Sequence, residues 1–319
     1  MYDGFYHLSR KPFQLNSDSD FFFKSEVHKR ALAYMRYGIT QGEGFIVITG
    51  KPGTGKTMLI KQLLNSINRE KFTLGLIVSS QIGADDLLRM VAATLNVPYE
   101  GDDKATLLDR LERFFVDQAS RGKRVLMIVD EAQNLPKHSL EELRMLSNFE
   151  SSGKTLLQIF LVGQKQFNKT LALPEMEQLR QRVVATYQLK SLDLEQTKNY
   201  VFFRLKRAGW QQSPLFEDDA FPLIFNHSQG VPRKINTLCE RVMMFGFLDE
   251  LQVIDQSVVQ KVIADIEEEE LIEVDENYDP VALLSEQTYP VGLEQRVVAL
   301  EKLLADLYQV LNAYHQGLK

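Results

Sequence analysis

Apolar positions in the first part of the chain alternate between short continuous runs and longer stretches in which they recur at helical spacing. The continuous runs, each of strand length, occupy residues 45–49, 73–78, 125–129, 156–162 and 183–189. Helical spacing is found in residues 27–39, 57–67, 84–95, 105–119 and 139–149. A strand that is apolar along its whole length is buried on both faces, which is typical of a parallel sheet covered by helices on both sides. We therefore predict a three-layer α/β core with a parallel sheet over residues 1–190.

Beyond residue 193 only helical spacing remains. Helices are predicted over residues 194–208, 218–226, 232–248 and 255–266. This pattern predicts a small all-helical lid domain over residues 191–266. An acidic run at 267–270 and two prolines, Pro280 and Pro290, follow it. We interpret residues 267–292 as an acidic linker, because a charged run with prolines is typical of a solvated spacer.

The last stretch, residues 293–316, has apolar residues spaced alternately four and three positions apart. They are Leu293, Val297, Leu300, Leu304, Leu307, Leu311 and Tyr314. Such a seam predicts a coiled-coil helix of about three heptads. We favour self-association or docking to a partner protein over packing on the chain's own body, because the proline-containing linker separates the two.

Charge and cysteine content narrow the class of protein. The 319 residues carry 43 acidic and 37 basic side chains, a formal net charge of −6, which argues against coating nucleic acid by bulk positive charge. The acidity belongs to residues 266–319, with 12 acidic and 3 basic residues, whereas residues 1–265 have 31 and 34. This near-neutral body neither excludes nor favours a polyanionic partner. The single cysteine, Cys239, excludes an internal disulfide and suits a reducing compartment.

Targeting patterns are absent from the sequence. The first residues lack the basic start and apolar run of a signal peptide, and no apolar run approaches the length of a membrane span. We therefore expect a cytoplasmic protein without a transmembrane segment, which would attach to the inner membrane only peripherally.

The sequence from Gly50 to Thr57 matches the pattern G-x-x-x-x-G-K-[ST] between a predicted strand and a predicted helix. The glycines let the backbone N–H groups point at phosphate oxygens, and the helix that follows adds its positive dipole end. Lys56 is expected to reach the β- and γ-phosphates, and the Thr57 hydroxyl is expected to bind magnesium. The predicted nucleotide-binding residues are Gly50, Pro52, Gly53, Thr54, Gly55, Lys56, Thr57 and Met58.

Two adjacent carboxylates, Asp130 and Glu131, end the apolar run at 125–129. This is a Walker B pattern, in which Asp130 supports the magnesium ion and Glu131 polarises the attacking water. The alternative, an ordinary helix cap, leaves Lys56 and Thr57 without a metal partner. The two motifs together predict Mg²⁺-dependent ATP hydrolysis, with Thr57 and Asp130 as metal ligands.

Further positions fit the AAA+ class of ATPases. Gln164 follows the run at 156–162, where these proteins place a polar sensor beside the γ-phosphate; the alternative is a surface glutamine in a loop. Arg180 and Arg182 precede the last predicted strand, where an arginine finger reaches the neighbouring subunit's ATP. We favour Arg182 as the finger, although either arginine could be a solvated residue at a helix end. Pro232 and Arg233 open a helix and match a second sensor that joins the lid to the phosphates.

Two other features are read as structural. The segment Phe21-Phe22-Phe23 is interpreted as a hydrophobic docking segment rather than a platform for a ligand. The five histidines share no spacing typical of metal ligands, so we expect them to be surface or locally hydrogen-bonded residues.

Six segments carry a resemblance to a known family. They are residues 5–13, 42–50, 130–135, 141–148, 177–182 and 230–233. These segments look like those of the ExeA/GspA-type secretion ATPases. More narrowly, the chain resembles the secretion ATPase encoded with exosortase and PEP-CTERM exopolysaccharide loci in Gram-negative bacteria. The likeness covers about residues 1–265; the membrane span and periplasmic peptidoglycan-binding region of ExeA-like proteins are not recognisable in this sequence.

The resemblance implies an ATPase at the cytoplasmic face that serves envelope export or polysaccharide assembly. It also implies a homo-oligomer in which an arginine acts on the next subunit's ATP, with inner-membrane export or polysaccharide-assembly proteins as partners through the C-terminal coiled coil. An alternative function comes from transposition regulators, which share the AAA+ arrangement and use ATP to form filaments on DNA. The absence of a clustered Lys/Arg stripe makes this alternative the less favoured one.

Overall fold

The computed structural model describes residues 2–16, 18–78, 83–101 and 103–276. The described residues up to 264 form one compact unit, and those from 265 to 276 belong to a second. The predicted acidic linker (267–292) lies outside the described residues from position 277 onward. The whole of the predicted coiled coil (293–316) also lies outside them. The predicted division into domains 1–190 and 191–266 stays a prediction.

The helices are short to medium in length and alternate with the strands. They are α1 (Tyr2–Phe5), α2 (Glu26–Gln41), α3 (Lys56–Ser66), α4 (Ala84–Thr94), α5 (Lys104–Ser120), α6 (Lys137–Leu146), α7 (Phe167–Leu171), α8 (Glu177–Arg180), α9 (Leu194–Arg207), α10 (Ala220–Ser228), α11 (Pro232–Leu248) and α12 (Gln256–Glu276). The strands are β1 (Phe45–Gly50), β2 (Phe72–Val78), β3 (Arg124–Asp130), β4 (Glu150–Ser151), β5 (Lys154–Thr155), β6 (Leu157–Gly163), β7 (Val183–Leu189), β8 (Leu215–Phe216) and β9 (Val253–Ile254).

The central sheet has five strands in the order β2-β3-β6-β1-β7, and every pair in it is parallel. Its strands lie within one residue of the bounds predicted from the apolar runs. The parallel register places the carboxyl ends of β1, β3 and β6 at the same edge of the sheet. Ligands bind at such an edge in open α/β sheets, because the loops that leave the strands converge there.

Each face of the sheet is covered by its own apolar core, as the continuous apolar runs predict. Phe45 and Val47 of β1 pack with helices α4, α5 and α6 in one core. Ile46 and Ile48 point the other way and pack with α2 and α3 in a second core. The alternation follows from the two-residue period of a strand. The fold is therefore the predicted three-layer α/β arrangement with a parallel sheet.

The part of the unit that follows the sheet, residues 191–264, is called the helical region below. Helices α9, α10 and α11 pack against one another there. The expectation of an all-helical lid is wrong in one detail, because β8 and β9 form a two-residue parallel pair. The helix predicted over 255–266 also continues through the acidic run to Glu276. Glutamate has a good helix propensity, and the side chains of Glu267, Glu268 and Glu269 are exposed.

The residues before α2, called the N-terminal segment (2–16 and 18–25), contact the helical region over a long sequence separation. The Tyr2 hydroxyl donates to Glu240 at 2.6 Å, and the Tyr6 hydroxyl donates to the Leu251 carbonyl at 2.9 Å. The segment therefore connects the helical region to the sheet, because its later residues lead directly into α2, which packs on the sheet. Among the described residues, we find no helix whose length and apolar character would let it cross a membrane.

Candidate nucleotide-binding site

The loop between β1 and α3 has the backbone of a phosphate cradle. Gly53 and Gly55 adopt left-handed conformations, with φ of +77° and +93°, which glycine favours because it has no Cβ. Helix α3 begins after Gly55 without a side-chain cap. In contrast, the Asp103 carboxylate accepts from the Thr106 N–H at the start of α5. The uncapped first turn of α3 leaves N–H donors and the positive dipole end for an anion.

Lys56 is folded back over the same loop. Its side chain is buried, and Nζ lies 3.2 Å from each of the carbonyl oxygens of Gly50 and Lys51, to which it donates. Burial lowers the pKa of Lys56, while Glu131 and Asp130 act in the opposite direction. The ammonium is thus held at the mouth of the cradle, where a phosphate would provide it with a counter-charge.

Thr57 and Asp130 meet across the gap between α3 and β3. The Thr57 hydroxyl donates to Asp130 Oδ2 at 2.9 Å, and Asp130 is 2% exposed. Burial raises the pKa of Asp130, while the hydrogen bond from Thr57 opposes the shift. A hydroxyl and a carboxylate are the hard oxygen donors that Mg²⁺ prefers. The two predicted metal ligands therefore fit a magnesium ion, whose charge would favour the ionised carboxylate.

Glu131 is held by two glutamine side chains. Its backbone has φ of +53°, an uncommon value for a non-glycine residue. Gln133 Nε2 donates to Glu131 Oε2 at 2.6 Å, and Gln164 Nε2 lies 3.5 Å from the same oxygen. The Gln164 N–H also donates to Gln133 Oε1 at 2.8 Å. Gln133, which the sequence prediction did not include among the site residues, therefore joins the Walker B carboxylate to the predicted sensor.

A cavity of about 470 Å³ lies over the loop and is bounded by the residues that follow β3 and β6, the helical region and the N-terminal segment. Most of the residues predicted to bind the nucleotide or to act in catalysis line it. These are Pro52, Gly53, Thr54, Gly55, Lys56, Thr57, Met58, Glu131, Gln164, Pro232 and Arg233. Gly50 lies at the end of β1, and Asp130 is joined to the cavity through Thr57. The volume and the mixture of apolar and charged lining suit a nucleotide-sized ligand.

Helix α11 brings the second predicted sensor to the loop. The Arg233 N–H donates to the Gly53 carbonyl at 3.2 Å. A Cβ atom on Gly53 would lie 2.6 Å from the Arg233 Cβ, so only glycine allows this approach. Pro232 occupies the first turn of α11, where a missing N–H has no cost. The helical region therefore contacts the phosphate loop directly.

The remaining wall comes from residues that the sequence prediction did not assign to the site. They are Leu15, Asn16, Asp18, Phe21, Phe22, Phe23, His28, Leu192, Tyr200, Arg204 and Asn236. Phe21 and Phe22 are buried, as expected of a docking segment, and they also face the cavity. The His28 ring is hydrogen-bonded through both nitrogens, as expected of a locally satisfied histidine. No motif in the sequence marks these residues as neighbours of the phosphate loop.

The two candidate finger arginines lie outside this cavity. Arg180 pairs with Glu177 and donates to the Leu171 carbonyl at 3.0 Å. Arg182 donates to the carbonyl and hydroxyl oxygens of Ser147, at 3.2 and 3.3 Å. Arg180 is exposed, whereas Arg182 is partly buried. A role for either arginine in a neighbouring subunit's site stays a prediction.

Comparison with solved structures shows the fold. ORC2 from Aeropyrum pernix, solved as ADPNP–ADP complexes, has a TM-score of 0.59 and 14% identity, with 80% of this chain and 71% of that chain covered. ORC1 from the same organism, solved in complex with DNA, has a TM-score of 0.56 and 15% identity, with 89% and 78% covered. Residues 39–171 match the family described as AAA domain. The fold is that of the AAA class of P-loop proteins, and the matched segment contains the phosphate loop and both carboxylates, Asp130 and Glu131.

A sequence relative gives a more particular likeness. The chain is 37% identical over 248 residues to "General secretion pathway protein A" of Aeromonas hydrophila. The match covers 77% of this chain and 45% of that protein, so the chain spans less than half the length of this relative. The chain is therefore similar to one part of a general secretion pathway protein.

Proposed function

We propose that this chain binds ATP in the cavity over the phosphate loop and hydrolyses it with the help of Mg²⁺. The observation that carries the proposal is the juxtaposition of Lys56, Thr57, Asp130 and Glu131 at the uncapped start of α3. Each of these groups supplies a different requirement of phosphoryl transfer to water. An anion-binding loop without catalytic function would need neither the metal ligands nor the second carboxylate.

The residues divide the chemistry among them. The loop N–H groups and Lys56 bind the phosphate chain and offset its negative charge. Thr57 and Asp130 would hold Mg²⁺, which when bound supplies Lewis-acid charge to the β- and γ-phosphate oxygens. Glu131 orients the attacking water and accepts its proton, and Gln164 donates to the γ-phosphate. Arg233 links nucleotide binding to the position of the helical region.

Two substitutions test the proposal. Lys56→Ala is expected to abolish nucleotide binding, because the buried cation of the cradle is lost. Glu131→Gln is expected to retain ATP but to lower turnover about 100-fold or more, because the water loses its base. Phosphate release and binding of a fluorescent ATP analogue are measured, with the exposed Lys206 and Glu195 as control positions (Lys206→Ala and Glu195→Gln). Normal turnover in the Glu131→Gln variant would contradict the assigned role.

Hydrolysis is proposed to need a neighbouring subunit, because the predicted finger arginines lie outside the chain's own cavity. Arg182→Ala is expected to retain ATP binding and to lose turnover, with Arg180→Ala as the comparison. An arginine that acts across subunits makes inactive variants complementary. Mixing Lys56→Ala with Arg182→Ala subunits should restore part of the phosphate release, since a mixed pair contains one complete site. No recovery from any mixture would count against the shared site.

The oligomer is proposed to form through the predicted coiled coil over residues 293–316. A chain that ends at Glu276 keeps the whole of α12 and every residue that lines the cavity. We expect it to bind ATP as the full chain does and to form smaller assemblies in light scattering. An assembly with the same number of subunits as that of the full chain would contradict self-association through the coiled coil. Docking to a partner protein would then remain as the function of the coiled coil.

The cellular role proposed for the ATP cycle is envelope export or polysaccharide assembly at the cytoplasmic face of the inner membrane. The likeness to General secretion pathway protein A supports export, and the motifs resembling the exosortase-linked ATPases support polysaccharide assembly as the narrower role. Replacing the gene by the Glu131→Gln form in the organism that encodes it should reduce secreted polysaccharide or exported protein. Normal levels of both would contradict the proposal.

A separate binding experiment tests the alternative function, which is ATP-switched binding to DNA. Duplex DNA is titrated with the chain and ATP at about 50 and about 200 mM salt, because binding to phosphates weakens steeply as salt rises. We expect no ATP-dependent shift. A salt-sensitive, ATP-dependent shift would favour the DNA-binding alternative over an export role.

A further inference from the structure

A buried histidine contacts the phosphate loop at a point that the mechanism above does not use. His28 lies in the first turn of α2 and is 4% exposed. Its Nδ1 lies 2.7 Å from Ser25 Oγ, and its Nε2 lies 3.0 Å from the carbonyl oxygen of Thr54. Thr54 itself is 1% exposed. The histidine thus joins the end of the N-terminal segment to the centre of the cradle.

The partners of the ring determine its tautomer. The Thr54 carbonyl only accepts hydrogen bonds, so Nε2 must carry the proton that is donated to it. Nδ1 is then free to accept from the Ser25 hydroxyl. Burial lowers the pKa of His28, although the bond to Thr54 acts in the opposite direction, so the ring is neutral near pH 7. The contact is therefore a neutral N–H donor aimed at one backbone carbonyl of the phosphate loop.

The planarity of the peptide bond carries the effect of this contact to the next residue. In a trans peptide the C=O of Thr54 and the N–H of Gly55 point in opposite directions. Holding the carbonyl on His28 consequently fixes the direction of the Gly55 N–H, a donor at the start of α3. We propose that His28 is a positioning residue of the nucleotide site, which holds the Thr54–Gly55 peptide so that this N–H faces the phosphate chain. The inference rests on the proposed binding of ATP.

Two further contacts show that the ring is fitted to this position. A Cβ atom on Gly55 would lie 2.9 Å from His28 Nε2, so the close approach of ring and loop requires a glycine there. The Phe22 ring packs edge-to-face on the imidazole, with centroids 5.2 Å apart. Because Phe22 also lines the cavity, His28 connects the wall formed by the N-terminal segment to the phosphate end of the site.

Two amide substitutions separate the hydrogen bond from the packing of the ring. The Nε2 of glutamine is as many bonds from Cα as the Nε2 of histidine, whereas the Nδ2 of asparagine corresponds to Nδ1. His28→Asn is therefore expected to lose the bond to Thr54 and to bind a fluorescent ATP analogue about tenfold more weakly, with kcat at saturation little changed. His28→Gln should recover most of the affinity. His138→Asn, at an exposed histidine, is the control.

Competition with inorganic tripolyphosphate tests where the loss arises. If His28 positions the phosphate loop, the His28→Asn substitution weakens the binding of tripolyphosphate and the binding of ATP by the same factor. A loss confined to ATP would place the effect at the Phe22 wall and overturn the proposal, as would equal affinities of the asparagine and wild-type chains. Failure of the wild-type chain to bind ATP would instead refute the proposed function.

A measurement on the wild-type chain covers the case in which the asparagine variant does not fold. With ¹⁵N-labelled histidine, the two ring nitrogens of a neutral imidazole have distinct chemical shifts, which report the tautomer. The proposal requires His28 to be protonated at Nε2 and its N–H to exchange slowly with solvent. A ring protonated at Nδ1, or an Nε2 proton that exchanges at the rate of an exposed histidine, would overturn it.

Discussion

Replacing Arg204 tests how the N-terminal segment is held on the helical region. Arg204 lies on α9 and is 5% exposed. Its Nε donates to the Pro12 carbonyl at 2.5 Å, and its Nη2 donates to the Gln14 carbonyl at 2.8 Å. The guanidinium carbon also lies 4.5 Å from the centroid of the Phe21 ring. The side chain thus binds three points of the segment with one planar group.

The free energies can be estimated from these contacts. Each hydrogen bond from a charged donor contributes about 1.5–3 kcal/mol, and the contact with the Phe21 ring contributes about 0.5–2 kcal/mol. Against this gain stands the desolvation of a buried cation, which costs several kcal/mol. Arg204→Met loses the contacts and also removes the desolvation cost. We expect it to weaken the docking of the segment by roughly 1–3 kcal/mol, less than the sum of the lost contacts.

Arg204→Lys is the informative partner of this variant. Lysine keeps the buried charge and its desolvation cost, but a single ammonium lacks the fork that reaches both carbonyls. We therefore expect the lysine variant to be no better than the methionine variant. Docking is measured by the rate of trypsin cleavage after Arg10, whose side chain is 38% exposed in the folded chain. Wild-type protection in the lysine variant would refute the reasoning, because charge alone would then hold the segment.

Three further predictions follow from the site and the core. Gln133→Ala should lower kcat about tenfold with little change in KM, because Glu131 loses its 2.6 Å hydrogen bond; a change in KM alone, in steady-state kinetics, would contradict this. Gly53→Ala should weaken binding of a fluorescent ATP analogue, because the new Cβ meets Arg233 at 2.6 Å; wild-type affinity would show that the loop can move aside. Cys239 is fully buried, and burial raises the pKa of its thiol well above the usual range, so an aromatic disulfide reagent should label it only as urea unfolds the chain; rapid labelling of the native chain would contradict its burial.

The strands and most helices could be predicted because their signal is local. Val47 and Ile48 lie next to each other in an apolar run, and the two-residue period of a strand sends them to opposite cores. The helix that continues to Glu276 shows the limit of such patterns. A run of glutamates is compatible with a solvated linker and with an exposed helix alike, so the pattern did not decide between them.

The phosphate-binding end of the site could also be predicted from the sequence. The opposite wall, formed by the N-terminal segment and the helical region, could not. Lys56 and Thr57 belong to one contiguous motif, and the sheet brings Asp130 to them through the parallel pairing of its strands. The contact between Arg204 and Pro12 joins residues far apart in the sequence, and no spacing rule predicts it. Gln133 lies beside the Walker B carboxylates, but its role depends on a side-chain direction that only the fold defines.

The sequence by itself determined the class of fold, the phosphate loop and the adjacent carboxylates, because each is encoded by neighbouring residues whose chemistry and period are visible in one dimension. The tertiary structure decided which groups surround that loop. It placed the N-terminal segment against the helical region and brought His28 to the Thr54 carbonyl. Such contacts depend on how separate elements pack, and packing reflects the shapes of whole surfaces rather than the order of residues along the chain.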